Sequence, residues 1–137
     1  MLKNITLSAE KTVLQEAKKR ATQELIRTGL NQGIGNISTQ VIQEFFNVAL
    51  RKFEIPFTTH DCRRYLNDVF TPLCHSFSSI RIYETALQVK ESTGFSFYDS
   101  LILAAAIESG CTILYSEDLC HGQKIDRIKI INPFQKM

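Results

Sequence analysis

No stretch of this sequence approaches the roughly 18 consecutive apolar residues that a membrane-spanning helix needs, so insertion into a bilayer is not expected. The opening Met1-Leu2-Lys3-Asn4-Ile5-Thr6-Leu7 lacks the longer apolar core of a secretory signal, and a cytoplasmic setting is the expectation. Repeats, low-complexity tracts and linkers rich in Pro, Gly or Ser are all missing, so nothing divides the chain. Its 137 residues are read as one domain spanning 1–137, a size that buries about two-thirds of its unfolded surface and needs no staples. There is no G-x-G-x-x-G or GxxxxGK[ST] loop, which weighs against a nucleotide-binding or other small-molecule-binding α/β domain. The four cysteines, Cys62, Cys74, Cys111 and Cys120, form no CxxC pair. Without a secretion signal they are read as reduced thiols rather than disulfides. The neighbours Cys74-His75 and Cys120-His121 lack the paired spacing of a structural zinc site. The three histidines show no arrangement of the Ser/His/Asp kind.

What is present is ordinary for a globular protein: 44% apolar and 22% charged residues, with a net charge of +2. That charge is too small to imply a nucleic-acid partner by itself. The basic residues gather toward the start, where Lys3, Lys11, Lys18, Lys19, Arg20 and Arg27 face only Glu10, Glu16 and Glu24 within residues 1–34. The run Lys18-Lys19-Arg20 is chemically suited to phosphate, and equally to a solvated helix face.

Apolar periodicity predicts helices over 8–28, 39–53 and 59–73, a fourth containing Ile82, Ala86 and Val89, and a fifth from Ser96 toward Gly110. Gly29, Gly33 and Gly35 are expected to break the first helix, and Gly110 suits the position just past the end of the fifth. Strands are predicted over 34–38, 111–115 and 128–131, with a short extended piece near 75–78. Strands separated by helices indicate an α/β sheet with right-handed crossovers.

Three carboxylates stand out. In the second helix Val41, Ile42, Phe45, Phe46, Val48 and Ala49 cover one arc at about 100° per residue, and Glu44 lies at the edge of that arc, where a cleft can draw it in. Asp99 closes Ser96-Phe97-Tyr98-Asp99, which has the form of a helix capping box, a structural role that competes with metal binding without excluding it. Asp118, with Glu117 beside it, follows the strand 111–115, and the carboxyl ends of strands in open α/β sheets form the ligand crevice. A turn built on Ser116 is the plain structural alternative there.

These residues sit in three longer blocks. Ile37-Ser38-Thr39-Gln40-Val41-Ile42-Gln43-Glu44-Phe45-Phe46-Asn47-Val48 resembles the second block of bacterial PIN-domain proteins, and Ser96-Phe97-Tyr98-Asp99-Ser100-Leu101-Ile102-Leu103-Ala104-Ala105-Ala106 resembles the third. Tyr115-Ser116-Glu117-Asp118-Leu119, His121-Gly122-Gln123 and Ile131-Asn132-Pro133-Phe134 look like the closing signature, so the resemblance spans roughly residues 8–134. It implies a PIN-like three-layer α/β fold, a central parallel sheet flanked by helices. It also implies a metal-dependent endoribonuclease, toxin-like and paired with an antitoxin protein, with RNA as substrate and a homodimer as the assembly. Glu44, Asp99 and Asp118 would then be the catalytic, metal-binding acids, with Ser116 the small hydroxyl residue near them. Mg²⁺ or Mn²⁺ would be the cofactor, since both take hard oxygen donors.

One departure is plain. Members of that family open with an apolar strand ending in Asp, yet no Asp precedes Asp61 here. Laying Asn4 on the family's Asn sets Leu2 where the Asp belongs. The expectation is therefore an N-terminal strand that is missing or truncated, and a weakened metal site. The alternative function is a catalytically inactive PIN-like module that binds RNA or a partner protein.

Overall fold

A computed structural model describes the backbone of residues 2–5 and 16–134, and the side chains of 23–134 apart from Ser76. In chain order the elements are β1 (Leu2–Ile5), α1 (Glu16–Gln32), β2 (Gly35–Ser38), α2 (Thr39–Arg51), α3 (Thr59–Tyr65), β3 (Cys74–Ser76), α4 (Ile80–Thr93), α5 (Phe97–Glu108), β4 (Cys111–Tyr115), β5 (Lys124–Ile125) and β6 (Ile128–Ile131). After α3 the chain stays helical through a π-helical turn, Leu66–Phe70, and a short turn, Thr71–Leu73.

The strands form one six-stranded sheet in the order β3-β2-β1-β4-β6-β5. Every neighbouring pair is parallel except β5 with β6. Parallel pairing follows from the helices between most of the strands, since a parallel neighbour can be reached only by a crossover. The β5–β6 pair instead turns back through Asp126, whose φ of 54° is the left-handed conformation that Asp tolerates in a tight turn. Two residues are too few for a periodic signal, and the sequence reading contained no β5.

The chain opens with a short strand, where the sequence reading expected one that is missing or truncated. Leu2–Ile5 is four residues long and lies in the middle of the sheet, pairing Lys3 with Gly35 on one side and Asn4 with Leu114 on the other. Its neighbours β2 and β4 are only four and five residues long, so a short strand suffices to pair with both. The apolar surface that its loss would bare is covered: Ile37 is 3% exposed and Leu114 0%.

Helix α1 also departs from the reading. Residues 8–15 of the predicted helix lie outside the described residues, and its end lies at Gln32 rather than at Gly29. Gly29 does not break the helix because it is where the helix touches the sheet. A Cβ on Gly35 would meet the Gly29 Cα at 2.8 Å and the Leu73 Cδ2 at 2.8 Å. The terminating glycine is Gly33, at φ 65°. The run Lys18-Lys19-Arg20 falls inside α1.

Against the sheet packs a core of Ile37, Leu73, Ile102, Leu103, Leu114, Ile128 and Ile130. The apolar middle of α5 is buried from Ile102 to Ala106, and the fully buried Ala86 and Ala104 leave little side chain between α4 and α5. Aromatic rings join α2 to α3 and the turn after it. Phe45 stacks on Tyr65 with centroids 4.9 Å apart and meets Phe70 edge-on at 5.3 Å. Burial raises the phenol pKa of Tyr65.

Helix α3 begins with a complete capping box. The Thr58 N–H donates to Asp61 Oδ2 at 2.9 Å, and Asp61 N–H donates to Thr58 Oγ1 at 3.1 Å. The Thr58 backbone N–H first, and its hydroxyl second, hold the Asp61 carboxyl below its ordinary value of 3.8. A depressed folded-state pKa adds stability that is present above the unfolded value and lost as pH falls through the folded one. Asp61→Asn is therefore expected to melt below wild type near about pH 7, with the gap closing below about pH 4. A gap of constant size across that range in thermal melts would refute this account.

Candidate active site

Because β1, β2, β4 and β6 run parallel, their carboxyl ends share one edge of the sheet. Helix α2 starts directly from the end of β2. Buried Ser38 caps it by accepting from Val41 N–H at 3.4 Å. This places Gln40 on the first turn and Glu44, exposed, on the second.

Helix α5 presents its first turn to the same place. Ser96 Oγ accepts from Asp99 N–H at 3.1 Å, so the cap predicted from the sequence is made. Among the described residues no bond returns from the Asp99 carboxylate to the cap, unlike the reciprocal pair at Thr58 and Asp61. The carboxylate is thus not consumed by the capping role.

Gln40 connects the two helices. Its Nε2 donates to Glu44 Oε1 at 3.0 Å and to the Tyr98 carbonyl at 3.3 Å, next to Asp99. Glu44 and the turn that carries Asp99 therefore meet on one amide. The sequence reading gave Gln40 no role. The available signal was the Gln40/Glu44 spacing of one helical turn, which lets such side chains bond along a helix.

Asp118 arrives from β4. Ser116 N–H donates to the Ile131 carbonyl at 3.0 Å, which extends the β4–β6 ladder by one residue. Ser116 is 3% exposed, and its Oγ accepts from Asp118 N–H at 3.2 Å. The turn on Ser116 weighed from sequence is thus present, and it leaves Asp118 exposed and Glu117 half-buried. The loop beyond is pinned where His121 Nδ1 accepts from Asn132 N–H at 2.9 Å, and Asn132 Oδ1 accepts from Phe134 N–H at 2.9 Å. Behind this edge, fully buried Asn36 accepts from His75 N–H at 2.9 Å and donates to Cys111 Sγ at 3.8 Å. Burial pushes the Cys111 thiol up to about 11, with Asn36 pulling the other way.

No family model matches the sequence, and no curated protein matches it. Among solved structures, the chain is similar to a chain of the DNA-bound VapBC from Salmonella typhimurium, with a TM-score of 0.63 over 95% of this chain and 97% of that one, at 18% identity. This chain has a PIN-domain-like fold.

At that identity the likeness concerns the fold, and the roles of residues rest on the geometry above. The register pairs Leu2 with Cys111 and Ile5 with Tyr115, so Leu2 lies at the amino end of β1 and Ile5 at the carboxyl edge of the sheet. At the carboxyl end of β1 stands Ile5, and β1 itself, Leu2–Ile5, contains no acid.

Of the three predicted acids, Glu44 bonds to the Gln40 amide, Asp99 follows the Tyr98 carbonyl that the same amide reaches, and Asp118 lies in the loop after β4. Among the described residues no group of three or more His, Cys, Asp or Glu side chains is placed to hold a metal ion. The donors still suit Mg²⁺. It takes hard oxygens, keeps several waters, and is commonly held by only one or two carboxylates together with substrate phosphates. Softer N/S metals find no such donor set here. A separate groove of about 480 Å³, lined by Ile55, Pro56, Phe57, Asp61, Arg64, Tyr65, Asp68 and Val69, contains none of the three acids.

Proposed function

We propose that this chain is a metal-dependent endoribonuclease of the PIN type, toxin-like, with the three-layer arrangement of that fold. The observation that carries the reading is the Gln40 amide, which gathers Glu44 and the Asp99 turn at the sheet edge where β4 delivers Asp118. Glu44, Asp99 and Asp118 would hold Mg²⁺ or Mn²⁺. When bound, such an ion supplies Lewis acidity toward a phosphodiester and a more nucleophilic water. The chain's own part is placement. Gln40 orients Glu44, Ser96 fixes the turn bearing Asp99, and Ser116 fixes the turn bearing Asp118.

The partners proposed are an RNA substrate, a second copy of the chain and an antitoxin protein. The structural neighbour is itself a VapBC complex bound to DNA. Apolar side chains available for a protein partner lie at the start of α4 and along it, where Phe77 is 67% exposed, Ile80 84% and Leu87 53%. Among the described residues no helix is long and apolar enough to cross a membrane.

A second reading, a module that binds RNA or a protein without cutting, is favoured by the lack of an Asp anywhere before Asp61 and of any acid within β1. The two separate in one assay. Structured RNA incubated with the chain is expected to be cut in Mg²⁺ or Mn²⁺ and spared in EDTA. RNA that is retained in a binding assay but intact in both metals would establish the second reading instead.

A further inference from the structure

We propose that Gln40 is a positioning residue that acts through Glu44, holding its carboxylate toward the first turn of α5 so that Glu44 and Asp99 serve one cation. This rests on the metal-dependent reading above.

The amide has two N–H groups and one carbonyl oxygen. Both of the bonds it makes here are donated by Nε2, to Glu44 Oε1 and to the Tyr98 carbonyl. Turning the amide over would set its oxygen against a carboxylate and a carbonyl, neither of which has a proton to give. Chemistry therefore dictates which way Gln40 points. The consequence falls on the other end of the amide, where Oε1 is buried and makes no hydrogen bond among the described residues.

A buried acceptor left without a donor destabilises a fold. Gln40 stands in a narrow cleft with Ser38, Phe77, Ser78, Ile82, Leu101 and Ala105, between the start of α2, the start of α4 and the middle of α5. An apolar side chain of similar length would fill that cleft without the unmade bond. What only the amide supplies is the tie from Glu44 to the turn of Asp99. A side chain kept for stability would have the opposite signature, with its polar atoms satisfied inside and its loss felt by the fold.

The test uses Gln40→Met, the closest apolar isostere, Glu44→Gln, and the double variant in the full chain. Melting temperature is measured without metal, and Mn²⁺ affinity by calorimetry. Q40M is expected to melt at or above wild type while binding Mn²⁺ about tenfold more weakly. In the Glu44→Gln background the same change is expected to cost nothing further, because Gln40 acts through Glu44. Gln40→Asn keeps the amide but shortens its reach, so it is expected to lose affinity similarly and serves if Q40M does not fold.

Unchanged Mn²⁺ affinity in both Gln40 variants overturns the positioning role, as does an equal loss with and without Glu44. Failure of the wild-type chain to bind Mn²⁺ overturns the metal-dependent reading itself, and the inference with it, before any variant is compared.

Discussion

Gly35→Val is expected to lower the free energy of unfolding by about 3 kcal/mol, the upper end of the usual cost of overpacking. The contact at issue is between backbones. The first atom added to Gly35 falls 2.8 Å from the Gly29 Cα and 2.8 Å from Leu73 Cδ2. Leucine Cδ2 can swing away, but Leu73 is only 1% exposed and has little space to enter. The Gly29 Cα belongs to α1 and moves only if the helix moves. Separating α1 from β2 also disturbs β1, since Gly35 pairs with Lys3. For a chain of this size the expected fall in melting temperature is about 10 °C. Gly29→Ala is a graded companion: its Cβ would meet the Gly35 Cα at 3.1 Å, tight but less so. Helix propensity returns up to about 1 kcal/mol at that position, so a much smaller loss is expected. Chemical denaturation of the three proteins reads both effects. Gly35→Val within about 0.5 kcal/mol of wild type would mean that α1 does not lie on β2 as described.

Asp99→Asn is expected to cost on the order of a hundredfold or more in metal-dependent RNA cleavage while barely changing the fold. The separation of the two effects comes from the cap. The bond at the start of α5 is donated by the backbone N–H of residue 99 to Ser96 Oγ, and Asn keeps that N–H. What is lost structurally is one negative charge at a helix N-terminus, about 0.3–1 kcal/mol. What is lost at the site is an anionic oxygen donor, which a neutral amide oxygen replaces poorly against a divalent cation. Wild type should therefore gain melting temperature in Mg²⁺ or Mn²⁺, and Asp99→Asn should gain much less. Equal gains in the two proteins would leave Asp99 as a helix-end charge alone and remove it from the site.

Much of the secondary structure was legible because it rests on local chemistry. The strand Cys111–Tyr115 lies between a glycine that ends a helix and a serine that turns the chain, and its apolar run defined it to the residue. Strand Ile128–Ile131 was equally clear. Helix α5 could be read at both ends, from the Ser96 cap and from Gly110 at φ 70°. Three features could not be read. β1 is too short to show a period, and its place between β2 and β4 is a matter of register. β5 is two residues long. Gly29 looked like a breaker because glycine commonly is one, while its task here is close approach to a second glycine across the helix–sheet contact.

The candidate site divides along the same line. Residue type and local pattern were enough to select Glu44 at the edge of an apolar arc, Asp99 on a helix's first turn and Asp118 after a strand, because each is a statement about a few adjacent residues. Nothing local says that the second turn of α2 faces the first turn of α5. That follows from parallel strands delivering their carboxyl ends to one edge, and from one amide long enough to bridge what arrives there. The place of the first strand is a tertiary fact for the same reason. Pairing with β4 sets Leu2 at the amino end of the strand and Ile5 at the carboxyl edge of the sheet, which no count along the chain reveals. A sequence lists which side chains exist and which helical or extended period they obey; the distance between two elements depends on how both pack against a third.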